Sequence, residues 1–512
     1  MKRLLFIGLT TIAINNYAQK ANSVDYAKTI TETELKEHLY IYASDEFEGR
    51  ETGKPGQKKA VNYIKKQYEN MGVAAAKADG NYFQEVPLEY GALPEVQFAI
   101  AENNYVFGEH FLTFSGSGNV SINANEIVFA GYGIDDANYS DYSDIDVDGK
   151  IVFIKSGEPK NEDGTYLISG TEAPSKWSNI RQAFENKISL VSEKGAKGLL
   201  FYDPDNFSLL KQQYTYLKNQ SNKRMRLKPD VKNDFFYLFI NDSIAQAIGD
   251  IKSFSSNGTL IKTNIDVTYK QDSSNTVSSE NVVAYIKGSE KPEEYIVISS
   301  HLDHIGITNG QINNGADDDG SGTVALIEIA EAFKEAVKNG HRPKRSIVFL
   351  HVTGEEKGLF GSEYYTMNPI FPLENTVANL NIDMIGRVDP KREGDRNYIY
   401  LIGSDKLSTE LHNISEEINK KYTNLTFDYK YNDENDPNRF YYRSDHYNFA
   451  KNNVPVIFYF NGTHADYHKP SDTPDKIEYD LLAKRAQLIF YTAWELANRE
   501  NRIIVDKATV SE

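Results

Sequence analysis

Between residues 301 and 322 the chain reads His301-Leu302-Asp303-His304, then, after a short gap, Asn313-Asn314-Gly315-Ala316-Asp317-Asp318-Asp319-Gly320-Ser321-Gly322. Three adjacent carboxylates between glycines leave a chain few options. Like charges in contact repel, and burying them is costly unless positive charge compensates. The run is therefore a solvated turn, a helix N-cap cluster or a cation site. Taken alone, it reads best as a turn or cap. It is not an EF-hand, because the D-x-D-x-D-G spacing is absent.

The surroundings of the run reverse that balance. From about residue 280, short apolar runs alternate with long amphipathic stretches. They predict strands at 282–286, 295–300, 346–351, 377–382, 398–402 and 454–460, and helices at 321–338, 404–422, 445–452 and 479–499. This alternation specifies an α/β fold, a mostly parallel mixed central sheet flanked by helices. Ligands in such folds gather where strands end and loops begin. Four segments put acids or imidazoles there: His301 with Asp303, Glu355 with Glu356, Asp383, and His464 with His468. With the acidic run they converge on one sheet edge, which favours the cation site.

Charge counting supports this reading. Suppose one carboxylate of the run, Glu356 and Asp383 bind metal together with two neutral imidazoles and a bridging hydroxide. Four negative charges then meet the four positive charges of two zinc ions. Imidazole with carboxylate oxygen suits catalytic Zn²⁺, and a two-metal site polarises a carbonyl and lowers the pKa of water. Glu355, adjacent to a ligand yet free, is then the general base. Asp303 is spaced to hydrogen-bond the second nitrogen of His301. Residue types alone do not choose among Asp317, Asp318 and Asp319.

The ordered series HxD, DDGSG, GEE, NIDMIGR and YHxPSDT resembles the co-catalytic zinc aminopeptidases of M28 type, the transferrin-receptor-like metallopeptidases. Upstream, Ser44 to Arg50 with Thr52-Gly53 is similar to the N-terminal helical segment of that family. Phe129 to Ile134, with Asp148 to Val152, resembles the protease-associated domain inserted in many members. The resemblance implies a zinc-peptidase fold and two co-catalytic Zn²⁺ per chain. It implies His301 and Asp383 on the first metal, Glu356 and His468 on the second, and Asp318 bridging. Asp303 would orient His301, Glu355 would be the base, and a cis peptide would follow Asp318.

Composition sets the frame. The 512 residues are 40% hydrophobic and 25% charged, as in a globular protein of more than one domain. A formal charge of -17 argues against a nucleic-acid partner. Lys2, Arg3, an apolar run from Leu4 to Ile14 and Ala18 predict a signal peptide, with an apolar run too short to span a bilayer. The chain has no cysteine, so its core, with bound metal, must hold it together. The expected division is a signal peptide at 1–18, an N-terminal helical segment at 24–95 packing on the catalytic domain, an inserted β-rich domain at 96–275, and the zinc-peptidase domain at 276–505. Within 31–72, helices are expected over TETELKEHLYIYA and KKAVNYIKKQYENMGV, with the SDEFEGRETGKPGQ loop between them. The insert shows no carboxylate–imidazole cluster and is read as carrying no chemistry of its own.

Other residues read more plainly. His304 and His351 suit packing or hydrogen bonding, and His464 suits a place behind the ligands or at the surface. Ser444-Asp445-His446 is no hydrolase triad, since neighbours in sequence do not converge on a common point. Asp445 reads as a helix start and His446 as a pocket-lining residue. Arg439 to Arg443 reads equally as a substrate contact or a solvated loop. The function expected is an exported di-zinc exopeptidase, periplasmic or extracellular and bacterial in style, acting as an aminopeptidase on peptide or protein N-termini, without a membrane span. Its rivals are a carboxypeptidase or dipeptidase on the same site, which basic residues facing the pocket would favour, a glutaminyl-cyclase-like single-zinc transferase, and a non-catalytic binding protein. Oligomeric state is not legible in the sequence.

Overall fold

The α/β pattern after residue 280 is realised in a computed structural model that describes residues 23–507, apart from short stretches at 91–92, 115–118, 179–182, 220–224, 229–234, 252–253, 255–257 and 271–275. The predicted signal peptide at 1–18 lies outside the described residues. The described residues form two compact units, one of residues up to Val86 with those from Ser279 onward, the other Pro87–Ser278.

In the first unit, strands β1 (Thr276–Ile286), β2 (Lys291–His301), β3 (Arg345–Val352), β4 (Thr376–Ile382), β5 (Tyr398–Ile402), β6 (Thr426–Asp428) and β7 (Val456–Phe460) lie side by side in the order β1-β3-β2-β4-β7-β5-β6. β3, β2, β4 and β7 are mutually parallel, whereas β1 and β5 run antiparallel to their inner neighbours. The chain leaves β2 for β3 on one side and later returns to β4 on the other. The carboxyl end of β2 is thus the point where strand order reverses, and a crevice opens at such a point.

Burial on both faces explains the unbroken apolar runs. Ile296 and Ile298 of β2 share a cluster with Val324, Phe333 and Phe490. Tyr295 and Val297 point the other way, into a cluster with Tyr365 and Phe449. The first cluster draws on helix α3 (Gly322–Lys338) and the C-terminal helix α8 (Tyr479–Asn498). Arg345 and Arg485 are buried, and their guanidinium groups are spent on main-chain carbonyls. Arg345 donates to Leu496 and Arg499 and pairs with Glu294, while Arg485 donates to Ile385, Arg387 and Tyr398. The second set fastens the loop that follows β4.

Helix boundaries follow local chemistry. In α1 (Glu32–Tyr42), the Thr31 hydroxyl caps the helix by accepting from the Glu34 amide and donates to the Glu34 carboxylate. Helix α2 (Pro55–Met71) starts upstream of the expected lysine run, because Pro55 occupies a first-turn position that needs no amide donor, and it ends at Gly72 with φ 70°. Between Arg345–Val352 and Thr376–Ile382 lie the short helices α4 (Glu355–Gly358) and α5 (Phe360–Met367). Helix α6 (Thr409–Tyr422) begins later than the predicted 404, where Ser408 caps the Leu411 amide. Helix α7 (His446–Ala450) is shorter than predicted.

The second unit combines its strands with helices. Its sheet includes Val120–Phe129, Ile151–Lys155, Gly198–Tyr202 and Phe236–Ile240, which pair in parallel. Helices Ala183–Glu193 and Phe207–Asn219 fall between these strands. Parallel neighbours need long crossovers, so the helices follow from the pairing. Ile151 to Ile154 and Phe236 to Ile240 are buried throughout, the mark of strands covered on both faces. Among the described residues no helix is long and apolar enough to cross a membrane.

Gly361, at the start of α5, tests how tightly this scaffold holds the segment after β3. A Cβ there would stand 2.3 Å from the Thr353 carbonyl oxygen and 2.4 Å from Asn281 Oδ1. Asn281 also accepts from the Thr353 amide at 3.0 Å, fixing the exit of β3. Gly361→Ala should cost about 1–3 kcal/mol by overpacking, read as a lowered melting temperature; an unchanged melt would show that this contact yields freely.

Candidate metal centre

The acidic run divides its labour among three side chains. Asp317 accepts from the Gly386 amide at 2.7 Å, from Ser321 Oγ at 3.0 Å and from Asn461 Nδ2 at 3.1 Å, and lies 3.2 Å from His464 Nε2. Asp319 accepts from the amides of Gly322, Met384 and His301. Both carboxylates thus tie loops together. Asp318 is the one of the three that turns toward His301, His304 and His468. The wide turn Ala316–Ser321 that makes this possible contains a cis peptide between Asp318 and Asp319. Asp472 accepts from the amides of both Asp317 and Asp318 and holds the turn from behind.

The four parallel strands deliver the remaining side chains at one edge. His301 ends β2, Asp383 follows β4, Glu355 and Glu356 open α4 just beyond β3, and His468 lies on the loop after β7. His301 Nε2 stands 3.2 Å from Asp318 Oδ1 and 3.6 Å from Asp383 Oδ1. His468 Nε2 stands 3.1 Å from Asp318 Oδ2 and 3.2 Å from Glu356 Oε2. Asp318 therefore faces two groups of donors. His468 has φ 56° and Met384, next to Asp383, has φ 59°. Side chains seldom adopt that region, and such positions cluster at functional sites.

Two positions correct the sequence reading. Asp303 was expected to orient His301 through its carboxylate. Instead His301 Nδ1 lies 3.0 Å from the Asp303 main-chain carbonyl, and the carboxylate is 4.0 Å away. That carboxylate accepts from Thr52 Oγ1 at 2.7 Å and from the Glu355 amide at 3.2 Å. Asp303 thus positions His301 with its backbone and Glu355 with its side chain. His304, read as a packing or hydrogen-bonding residue and not as a metal ligand, is fully buried with Nδ1 2.7 Å from Glu356 Oε1 and 3.8 Å from Asp318 Oδ2. It groups with Asp318 and Glu356 as closely as His301 does with Asp318 and Asp383. The HxDH spacing carried the signal, since His304 follows a predicted strand end by only four residues.

The N-terminal segment also reaches the site. Besides Thr52, buried Arg50 donates to the carbonyls of Asn314 and Gly315, which shapes the entry to the acidic run. Asp445, read as a helix start, makes no capping bond; its buried carboxylate accepts from Ser362 Oγ, and burial pushes its pKa up to about 7. His446, read as lining the pocket, is fully buried and stacks on Phe458 at 4.7 Å, so it stands behind the wall. His464 lies behind the acidic run against Asp317, as read.

The donor set fits a divalent metal. His301 Nε2, both nitrogens of His304, Asp318 Oδ2 and Glu356 Oε1 are buried without a hydrogen-bond partner. Buried polar atoms are seldom left so. Short separations without hydrogen-bond geometry mean that lone pairs aim at shared points between the residues. Imidazole and carboxylate oxygen are zinc donors.

Electrostatics agrees. Burial opposes charge on His301, yet Glu355, Asp318 and Asp383 outweigh it and hold the imidazole well above its ordinary pKa. Burial likewise opposes charge on His468, but its bonds to Asp318 and Glu356 push it up to about 10. Burial works against the Asp318 carboxylate, and His304, His301 and His468 nonetheless hold it well below the usual range. Glu355 moves the other way, raised well above a normal carboxyl by burial and by the acids Asp383, Glu356 and Asp445. A small open cleft lies over the site, lined by Asp318, Glu355, Asp383, Tyr467 and His468, with Phe440, Phe458 and Phe460 as an apolar wall and Arg443 among them.

Comparison with known proteins decides the lineage. Residues 281–493, which carry β2 to β7 and every residue placed above from His301 to His468, match the sequence model of peptidase family M28. That segment is assigned to peptidase family M28. The chain is 28% identical over 226 residues to a probable aminopeptidase of Saccharomyces cerevisiae, covering 43% of this chain and 57% of that protein. It is 36% identical over 105 residues to a probable glutamate carboxypeptidase of Arabidopsis thaliana, covering 20% and 14%. The chain thus spans about half the length, or less, of these curated relatives. Among solved structures it is similar to an aminopeptidase from Aneurinibacillus sp. strain AM-1, at 20% identity over 95% of this chain and 98% of that one, with a TM-score of 0.46.

In the metal-free protein the raised pKa values keep His301 and His468 protonated at neutral pH. Metal ligands must be deprotonated. Adding zinc to metal-free protein at pH 7 should therefore release protons, measurable by calorimetry in buffers of different ionisation enthalpy. A raised folded-state pKa contributes stability that is complete below about pH 6.5. For His468 that contribution is lost as pH rises to about 10. The metal-free protein should weaken across this window while zinc-dependent stabilisation grows, because protons compete less for the ligands. Zinc uptake without proton release would contradict the assignment.

Proposed function

We propose that the protein is a di-zinc exopeptidase acting as an aminopeptidase. The observation that carries this reading is the position of Glu355. It lines the cavity beside Asp318 and Asp383 yet belongs to neither donor group. His301, Asp318 and Asp383 would hold one zinc, and Asp318, Glu356 and His468 the other, with His304 beside Glu356. The metals, when bound, supply Lewis acidity for the scissile carbonyl and lower the pKa of water.

The chain's own residues do the rest. Glu355, with its raised proton affinity, takes the proton of the attacking water and delivers it to the departing amine. The Asp303 carboxylate holds the Glu355 amide, which sets the angle of that base. Ser444 Oγ donates to Asp383 Oδ2 at 2.7 Å and leaves the other oxygen, which faces His301, for metal. The wall of Phe440, Phe458 and Phe460 offers an apolar surface to a substrate side chain and sheds water. Acidic groups around the centre would receive the free α-amino group. Export is supported by the leader-like N-terminus, and the Pro87–Ser278 unit is read as the inserted protease-associated domain.

Glu355→Gln should lower turnover by ~10²- to 10⁴-fold, the usual contribution of a general base, while the protein still binds two zinc ions. Turnover retained in that variant would remove Glu355 from the role. N-acetylated peptides should resist cleavage that free N-termini undergo; equal rates would replace the aminopeptidase with one of its rivals. A single zinc per chain with cyclisation of N-terminal glutamine would favour the cyclase-like reading.

A further inference from the structure

The acidic surroundings make one cation in the cavity wall unusual. Arg443 is the one arginine or lysine among the described residues lining it. Four other arginines of the same unit pair with carboxylates, Arg345 with Glu294, Arg387 with Asp466, Arg392 with Asp428 and Arg396 with Asp480, and Arg50 and Arg485 are held by main-chain carbonyls. Arg443 is exposed, and among the described residues no carboxylate pairs with it. Its guanidinium lies 4.9 Å from the centroid of the Phe440 ring, which steadies it against the wall.

The backbone fixes Arg443 beside the reaction centre. It directly follows the tight turn Phe440–Tyr442, and its amide bonds the Phe440 carbonyl at 3.1 Å. The next residue, Ser444, donates to Asp383 and accepts from Asn381 at 2.9 Å, which in turn accepts from Ser299 of β2. Arg443 is therefore one peptide unit from a hydroxyl that touches a metal-binding carboxylate. A guanidinium so placed repels an ammonium group and attracts a carboxylate, with a planar fork suited to two parallel hydrogen bonds. In a chain of net charge -17, an arginine at the centre with no protein counter-ion leaves the counter-ion to the ligand.

We propose that Arg443 is a substrate-binding residue that selects substrates bearing a carboxylate close to the scissile bond. The inference rests on the exopeptidase reading of the site and names its substrate class. Such a carboxylate has two sources, the C-terminus of a dipeptide or an acidic side chain. The first makes the enzyme a dipeptidase, the second an enzyme for acidic residues.

The test uses the zinc-loaded full chain and two matched pairs, leucyl-alanine with leucyl-alaninamide, and aspartyl with asparaginyl 4-nitroanilide. A charge-assisted contact predicts that wild type favours the carboxylate member of one pair by ~10-fold or more in kcat/KM, and that pair names the source. Arg443→Gln should erase the preference, chiefly through KM, and Arg443→Lys should keep part of it. Wild type that separates neither pair, or Arg443→Gln that keeps the preference, overturns the proposal. Binding of the same four compounds to zinc-loaded Glu355→Gln, with and without Arg443→Gln, reads the contact apart from catalysis. A carboxylate preference in binding that Arg443→Gln abolishes supports it, and equal binding overturns it. Absence of turnover for every compound by wild type would instead strike the exopeptidase reading.

Discussion

Buried negative charge governs this structure. Asp303, Asp317, Asp318, Asp319 and Asp383 are all buried around one strand-end crevice. No arginine or lysine is paired with any of these five among the described residues. Two kinds of compensation are visible. Main-chain amides and neutral donors satisfy Asp303, Asp317 and Asp319, so that their charge holds loops in place. Asp318 has amide-bound neighbours but keeps its own oxygens for imidazoles, and those imidazoles leave nitrogen lone pairs unspent. A site built in this way is complete only with added positive charge.

The scaffold makes that arrangement affordable. Four parallel strands end at the same edge, and the point where their order reverses opens a crevice there. Each strand needs only one or two polar residues at its end, while its body stays apolar and buried on both faces. Positioning then comes from a layer outside the ligands. Thr52 and Arg50 come from the N-terminal segment, Arg485 from the C-terminal helix and Ser444 from a late loop. Residues more than 250 positions apart in sequence thereby set the aim of a single carboxylate, that of Asp303, and through it Glu355.

Local pattern was legible where local physics decides. The strand at 398–402 and the start of the helix at 479 stand where their periodicity put them. Capping moved the starts of Pro55–Met71 and Thr409–Tyr422, because a single proline or serine outweighs the apolar period at a helix end. In the second unit the parallel pairing was not legible, because buried strands joined by crossovers look, residue by residue, like short β runs between turns. Asp445 opens its helix as read, but what its side chain and that of His304 meet was not legible locally. Each sits on an ordinary stretch, and its role depends on a partner far along the chain, Glu356 for one and Ser362 for the other.

The order of acids and imidazoles along the chain determined, before any coordinates, that a parallel α/β sheet would carry a cluster of zinc-type donors at its strand ends, since strand alternation and ligand chemistry are both written locally. Which oxygen of which aspartate turns inward, that the Asp303 backbone rather than its carboxylate meets His301, and that Arg443 stands unpaired in the cavity wall were decided only by the tertiary structure. These are matters of direction and distance between residues far apart in sequence, and only the packed sheet and its loops set them.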